Sequence, residues 1–287
     1  MGEKMTWEDA VRWYRAQPNN MEAIRANYFD LPVFEAAKRY ATGEEFAEVL
    51  RLLGKGNGRT CLDVGAGNGI ASYALAINGW QVTALEPDSS DEVGAGAISS
   101  IATQAGVPIT VLREWGERIP LPDQSQDAVH ARQVLHHAAD LGGMMRELSR
   151  ILKPGGIFLS TRDHVVDDDK QLAQFRANHP LHHLYGGENA FSLDQYKSAF
   201  TAAGLDLQKE YGPLDSILNF YPGTEAQRLD FPRAFAARRY RGMGRYLLWS
   251  GAYRRWQLTI AKRSCEGPGR AYSFLAVKPK GQAEDGS

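Results

Sequence analysis

The sequence is poor in three features, and each shortage excludes a class of protein. Its 287 residues include only two cysteines, Cys61 and Cys265, so we expect no disulfide framework and a reducing compartment. Its formal net charge is −1, which argues against nucleic-acid binding by the protein as a whole. It has no run of 18 apolar residues, and its first 20 residues are too polar for a secretory signal. We therefore expect a cytoplasmic protein.

Residues 59–86 hold the most informative pattern that is present. The apolar stretch Thr60–Val64 is followed by glycines at positions 65, 67 and 69, which let the backbone turn sharply and approach a ligand closely. Ile70–Ile77 has the pattern of a helix, and Gln81–Leu85 that of a second strand, with Glu86 at its end. A carboxylate about 20 residues after the first glycine can accept hydrogen bonds from both hydroxyls of a ribose. The pattern predicts a nucleotide-binding βαβ unit for a ligand with an adenosine-like sugar.

Asp63 helps to choose between cofactors. It lies inside the predicted first strand, two residues before Gly65. Loops that bind a pyrophosphate usually have an apolar residue there, because a carboxylate would repel the phosphates. S-adenosylmethionine carries a sulfonium and an ammonium and would tolerate the carboxylate. Asp63 therefore favours S-adenosylmethionine, and a nicotinamide dinucleotide is the main alternative.

The segment Asp63–Gly69 resembles the first motif of class I S-adenosylmethionine-dependent methyltransferases. Three further segments resemble later motifs of that family in order and spacing, at residues 119–122, 126–137 and 147–160. The resemblance implies an α/β, Rossmann-like sheet of seven strands in the order 3-2-1-4-5-7-6, with the last strand antiparallel. The helical pattern of the first residues and the length of the later connections add a helical N-terminal cap and a helical insertion to this sheet.

Residue patterns and segment lengths give the expected organisation of the chain. We expect the cap in residues 1–53, the methyltransferase core in 54–280 and a flexible tail in 281–287. Two segments, 163–190 and 213–268, are longer than such a core needs, and we interpret them as substrate-cap insertions. The apolar pattern predicts helices at Trp7–Ala16, Asn20–Asn27, Phe34–Tyr40 and Glu44–Leu53 and strands at 59–64, 80–86, 109–113, 127–132, 155–162, 205–211 and 271–278.

The resemblance places the cofactor beyond the carboxyl ends of strands one and four, where the strand order reverses. The predicted cofactor contacts lie at the carboxyl ends of the first four strands and in the loops that follow them, and they are Asp63, Gly65, Ala66, Gly67, Asn68, Gly69, Glu86, Pro87, Trp115, Gly116, Arg132 and Gln133.

The role of Trp115 and the contribution of the cap to the cofactor site each have more than one interpretation. Many relatives have an aspartate where this chain has Trp115, so the indole is expected either to stack on the adenine or to pack in the core. From the cap, Tyr28, Arg39 and Tyr40 are candidates to close over the cofactor, and Arg39 could pair with its carboxylate. A solvated surface position is the alternative for Arg39.

Methyl transfer is an in-line displacement, so a base is needed only when the acceptor must lose a proton. Histidine suits this role because its pKa lies near neutrality. His137 and His164 follow predicted strands four and five at the same rim of the sheet, and we predict them as the candidate catalytic residues. Asp163 would orient His164. The alternatives are that His137 only fixes a helix start and that Asp163 forms a surface ion pair with Arg162.

The loop at residues 178–189 is rich in polar and aromatic residues, which suits a lid over a hydroxylated acceptor. The predicted acceptor contacts are His136, Asp163, His182, His183, Tyr185 and Glu188. His179, His182, His183 and Glu188 could also bind a metal, but their spacing matches no tight metal motif, so we expect no metal.

The second insertion is strongly basic. Between Phe231 and Cys265 there are nine lysines and arginines and no acidic residue, interleaved with aromatic residues. This composition suits an amphipathic helix that lies on anionic lipid or receives an acidic substrate. We favour a cap helix that packs on the core over peripheral membrane contact through residues 233–263, because the net charge of the chain is close to zero.

The sequence therefore predicts an enzyme that transfers a methyl group from S-adenosylmethionine to a small molecule, with a hydroxyl oxygen as the expected acceptor. Two alternatives stay open. One is C-methylation of a quinol-like or lipid-associated substrate. The other is a protein that binds S-adenosylmethionine without catalysis.

Overall fold

The structure is a computed structural model that describes residues 4–239 and 251–280. The predicted tail at 281–287 and residues 240–250 of the basic segment lie outside the described residues.

A seven-stranded sheet organises the chain, in the order β3-β2-β1-β4-β5-β7-β6. Strands β1 to β5 are parallel, whereas β7 runs antiparallel to both β5 and β6. The predicted fold and strand order are confirmed. The strands are β1 Thr60–Val64, β2 Gln81–Leu85, β3 Ile109–Leu112, β4 Gln126–Arg132, β5 Leu152–Val165, β6 Asp206–Tyr211 and β7 Arg270–Val277.

Alternation along the strands divides the apolar residues between the two sides of the sheet. Leu62 and Val64 belong to one apolar cluster, and Cys61 belongs to another, as expected when successive side chains point to opposite faces. Cys61 and Cys265 are both free thiols. The helices that cover the sheet are α5 Ile70–Ile77, α6 Ala95–Ala105, α7 Leu141–Ile151 and α10 Leu193–Ala202.

Strand β5 is longer than predicted at both ends. Its carboxyl end reaches Val165 because Asp163 and His164 pair with Tyr272 and Ala271 of β7. Both residues were predicted to follow the strand, and that placement was wrong. The partner strand lies more than 100 residues further along the chain, so the local pattern gave no sign of the extension.

The N-terminal helices are α1 Trp7–Ala16, α2 Met21–Ala26, α3 Val33–Ala41 and α4 Glu44–Leu53. Helix α2 starts one residue later than predicted, because Pro18–Asn20 forms a 3-10 turn before it. Helices α3 and α4 contribute Tyr40, Phe46 and Val49 to the same apolar cluster as α5. This half of the predicted cap is therefore packed into the core.

The two insertions are largely helical in the described part of the chain. The first contains α8 Asp169–Asn178 and α9 His182–Tyr185, and the second contains α11 Glu225–Arg239 and α12 Gly251–Ser264. The second insertion leaves after Tyr211 of β6, which pairs with Ser273 of β7.

Helix α12 buries one face, as shown by Tyr253, Gln257 and Ala261, and its Lys262 lies 2.8 Å from the carboxylate of Asp215. Within residues 4–239 and 251–280, no helix combines the length and the apolar character needed to span a bilayer.

Candidate active site

The glycine loop between β1 and α5 has an open side. Gly65, Gly67 and Gly69 all have positive φ, at 55°, 53° and 84°, a conformation that favours glycine. A Cβ atom at Gly65 would lie 2.6 Å from a methyl group of Val134, whereas one at Gly67 would meet no atom within 4 Å. Gly65 is therefore needed for packing, and Gly67 leaves free space beside the loop where a ligand can approach.

Glu86 lies directly beside this open space. Its carboxylate oxygens accept the N–H of Gly67 at 2.8 Å and the N–H of Asp88 at 2.9 Å. Burial raises the pKa of Glu86 to about 7, because a low-dielectric environment disfavours the charged form. Pro87, which follows, is half-buried. The predicted ribose carboxylate is thus brought to the glycine loop.

Asp63 is buried beneath the loop rather than exposed to the ligand space. One carboxylate oxygen accepts the hydroxyl hydrogen of Ser72 at 2.6 Å, and the other lies 2.8 Å from Nδ1 of His130. Both partners belong to the protein core, so the structure gives Asp63 a supporting position. Direct contact between Asp63 and a cofactor stays a prediction.

The N-terminal helices reach this rim through two polar contacts. Asn68 of the loop donates to the carbonyl of Tyr28 at 2.7 Å. Arg132, at the end of β4, donates from Nε to Glu45 of α4 at 2.7 Å and from Nη1 to the side chain of Gln133 at 2.8 Å. Glu45 is completely buried. The predicted contacts Arg132 and Gln133 are therefore joined to each other and to the cap.

The three candidates from the cap lie close to Arg132 but differ in their partners. The rings of Tyr28 and Tyr40 lie 5.4 and 5.5 Å from the Arg132 guanidinium carbon. The hydroxyl of Tyr40 is buried without a hydrogen-bond partner among the described residues. Arg39 forms a two-pronged ion pair with Asp30, at 2.6 and 2.8 Å. Arg39 is therefore already paired, and its contact with a cofactor carboxylate stays a prediction.

Trp115 is an exposed side chain, with 67% of its surface accessible. The alternative of packing in the core is therefore excluded by the structure, and the stacking interpretation is retained as a prediction. Gly116 beside it is buried, and a Cβ there would lie 2.3 Å from the Met144 methyl group. A larger residue at position 116 would therefore force Met144 to shift.

Asp163 is a buried hub that connects β5 to the segment after β4. Its Oδ1 accepts the backbone N–H groups of Val134 and His136 at 3.2 and 3.3 Å and lies 3.1 Å from Nδ1 of His136. Its other oxygen accepts the hydroxyl hydrogen of Ser160. Burial raises the pKa of Asp163 to about 7. The prediction that Asp163 orients His164 is wrong, because its carboxylate contacts His136 instead. Its burial also excludes the alternative of a surface ion pair with Arg162.

Histidine side chains cluster along the rim of the sheet at the carboxyl ends of β4 and β5. The ring of His136 lies 4.1 Å from that of His137 and 4.6 Å from that of His164, and His164 lies 6.3 Å from His179. Burial lowers the pKa values of His136 and His179 and brings that of His164 to about 4. The rings of His136, His164 and His179 are therefore neutral at physiological pH.

Residues 178–189, the predicted lid, border this group: the Gly187 carbonyl contacts His137, and the His179 ring lies near His164. Glu188 is buried and accepts the hydroxyl hydrogen of Tyr185. The Tyr185 ring packs at 4.7 Å against Trp7 of α1. His183 turns away and donates to the carbonyl of Ala177 at 2.8 Å, whereas His182 is half-buried. Glu188 and Tyr185 thus join the rim, and His183 does not.

Sequence reasoning missed Glu45 and His130, the partners of Arg132 and Asp63. Each contact joins residues far apart in the chain, 87 and 67 positions respectively. The only available signal was an acidic residue on the apolar face of α4, which a helical pattern alone does not connect to β4.

Comparisons with known proteins agree with this geometry. A sequence model of the methyltransferase domain family matches residues 36–210. The ubiquinone biosynthesis O-methyltransferase of Paramagnetospirillum magneticum is 33% identical over 193 residues, which are 67% of this chain and 74% of that protein. Sterol 24-C-methyltransferase ERG6B of Gibberella zeae is 30% identical over 208 residues, 63% of this chain but only 54% of its own length.

Among solved structures, geranyl diphosphate methyltransferase in complex with geranyl diphosphate and sinefungin has a TM-score of 0.58 and 17% identity, covering 94% of this chain and 98% of that one. At this identity the likeness shows the fold alone. With the family match over more than half of the chain, the predicted family and cofactor are confirmed. The chain belongs to the class I S-adenosylmethionine-dependent methyltransferases.

Proposed function

We propose that the protein transfers the methyl group of S-adenosylmethionine to a hydroxyl oxygen of a small molecule, with His137 as the base. The observation that carries this proposal is the fixed orientation of the His137 ring. Its Nδ1 donates to the carbonyl of Gly187 at 3.2 Å, so in the neutral tautomer the lone pair lies on Nε2, which can accept a proton. The ring is exposed, so an acceptor can reach it.

His164 is the weaker of the two predicted bases. Its Nδ1 donates to the carbonyl of Gly269 at 2.7 Å, and its ring packs at 4.8 Å against Phe175. Burial brings its pKa to about 4, so the ring takes up a proton poorly at neutral pH. We assign it to the wall of the acceptor site.

The proposed reaction is balanced without any other reactant. The hydroxyl proton passes to Nε2 of His137, and the acceptor oxygen attacks the methyl carbon. The bond between sulfur and the methyl carbon breaks, and its electron pair stays on sulfur as S-adenosylhomocysteine forms. The protein mainly holds the two reactants in line at about 3 Å, which lowers the entropic part of the barrier.

The relatives support the transfer but do not agree on the acceptor atom, because one is named for O-methylation and another for C-methylation. C-methylation of a quinol-like or lipid-associated substrate is therefore the second candidate. The exposed Trp256 and Leu258 on the basic helix α12 favour it, since an apolar acceptor would suit such a surface. Peripheral membrane contact and a cytoplasmic location stay predictions.

The test is an acceptor screen with S-adenosylmethionine that carries a ¹³C-labelled methyl group. Phenols, catechols and hydroquinones are incubated with the wild type, and the chemical shift of the new methyl group distinguishes O–CH₃ from C–CH₃. We expect an O–CH₃ product, and kcat about a hundredfold lower in His137→Ala with unchanged affinity for S-adenosylhomocysteine. A C–CH₃ product, or full activity in this variant, would contradict the proposal. Cofactor binding without turnover of any acceptor would favour a binding protein.

A further inference from the structure

The rim also contains a set of potential metal ligands, of which the function just proposed uses only His137 as its base. We propose that His136, His137 and Glu188 bind a divalent transition-metal ion. One donor atom from each residue lies within 4.8 Å of the others. His136 and Glu188 are buried, and His137 is exposed, so an ion would reach the site from the acceptor side. The sequence predicted no metal, and the set differs from the histidines of the lid whose spacing suggested one.

The hydrogen bonds of the two histidines fit metal ligation. His136 Nδ1 lies 3.1 Å from the Asp163 carboxylate, and His137 Nδ1 donates to the Gly187 carbonyl. Both rings therefore direct an Nε2 lone pair away from these partners. Metal-binding histidines usually donate their other ring N–H to a carboxylate or a backbone carbonyl, which fixes the ring and increases its basicity. His136 has the carboxylate as its partner, and the adjacent His137 has the backbone carbonyl.

Glu188 supplies the charge that would attract the ion. Within residues 4–239 and 251–280, no lysine or arginine lies within 4.0 Å of its carboxylate, and its nearest charged-type neighbour is His179 Nδ1 at 3.6 Å. Its other partner is the neutral hydroxyl of Tyr185. A buried carboxylate without a cation is costly. A bound divalent ion would compensate it.

Two imidazoles and one carboxylate favour Zn²⁺ or Co²⁺ over Mg²⁺, which prefers oxygen ligands. At bond lengths of about 2.1 Å, tetrahedral ligands lie about 3.4 Å apart, so the site must contract when the ion binds. The contraction would involve the backbone before Glu188, where Gly186, with a φ of 79°, and Gly187 are located. Three protein ligands leave a fourth position for water or an acceptor.

The ion would compete with the base, and this consequence rests on the proposed function. The His137 Nε2 lone pair can hold a proton or a metal ion but not both. Metal-loaded protein should therefore lose hydroxyl methylation, and a chelator should restore it.

Metal binding is measured first, without any acceptor, on protein that carries no histidine tag. Calorimetry with Zn²⁺ alone should give one site per chain, and Co²⁺ should give visible absorption bands typical of a site with nitrogen ligands. We expect His137→Ala and Glu188→Gln each to weaken Zn²⁺ at least tenfold. His183→Ala is the matched control on the same lid, and we expect unchanged Zn²⁺ affinity. The proposal would be overturned if the wild type did not bind Zn²⁺. It would also be overturned if His137→Ala and Glu188→Gln bound Zn²⁺ as tightly as the wild type.

Retained affinity for S-adenosylhomocysteine shows that each variant is folded. The activity arm then separates the two proposals. Inhibition by stoichiometric Zn²⁺ that a chelator reverses supports the shared lone pair. Stoichiometric binding with unchanged or faster turnover would overturn the competition and the assignment of His137 as base, whereas the metal site itself would stand.

Discussion

The two halves of the rim are built in different ways. On the cofactor side, Asp63, Glu86 and Arg132 each have at least two polar partners in the protein. On the predicted acceptor side, each of His136, His137 and His164 has one ring nitrogen in a hydrogen bond. The other ring nitrogen has no hydrogen-bond partner among residues 4–239 and 251–280. Fixed partners suit a ligand that is always the same. Ring nitrogens with a free lone pair suit a site that binds different acceptors, protons or ions at different times.

The largest effect is expected where a fixed pair on the cofactor side is broken. Glu45→Ala leaves the Arg132 guanidinium buried without its carboxylate, and we expect the free energy of unfolding to fall by about 3 to 5 kcal/mol. Chemical denaturation measures this change. Glu48→Ala, which removes the partner of the exposed Arg51 on the same helix, should cost less than about 1 kcal/mol. Similar losses in both variants would contradict the comparison.

A second prediction tests the open side of the glycine loop. A leucine at Gly67 would project into the space where no protein atom lies within 4 Å. We expect Gly67→Leu to weaken S-adenosylhomocysteine about a hundredfold in calorimetry, or about 2.7 kcal/mol. Gly106→Leu is the control, because Gly106 also has positive φ and no nearby atoms but ends α6. If Gly67→Leu still bound tightly, the assigned site would be wrong.

The third prediction concerns Glu86 and pH. Glu86→Ala should weaken S-adenosylhomocysteine about thirtyfold, or about 2 kcal/mol, because a charged acceptor of hydrogen bonds is lost. The pKa of Glu86 is raised to about 7, so the ionised form that accepts two hydroxyls dominates above pH 7 and disappears below it. Affinity should fall as the pH is lowered from 8 to 6. The neutral side chain of Glu86→Gln should remove this dependence, and a persisting slope would assign it to another group.

The smallest effect is expected at Trp115, the exposed side chain that is predicted to stack on the adenine. Loss of stacking on the adenine in Trp115→Ala should weaken S-adenosylhomocysteine about fivefold, or about 1 kcal/mol. Trp115→Phe should retain most of the affinity. Equal affinity in all three proteins would show that the indole does not contact the cofactor.

The sheet and the cofactor loop could be predicted because their signals are local. Gly65, Gly67 and Glu86 follow their strands directly, and helix α4 has the predicted bounds. The partners that fix the site could not be predicted. The contacts of Glu45 with Arg132 and of Asp163 with His136 depend on how separate elements pack. Asp163 is the clearest example of a residue whose position could not be predicted locally, because its place within β5 is set by pairing with β7.

The pairing of Tyr211 with Ser273 has a consequence for loop exchange. The second insertion leaves the sheet and returns to it at adjacent points, so the distance its ends must span is independent of its length. The entropy of closing a loop grows only slowly with length. Segments from other methyltransferases could therefore be grafted in place of residues 213–268 to change acceptor preference. The start of β7 would keep its pairing with β5, so the glycine loop and the histidines would keep their positions.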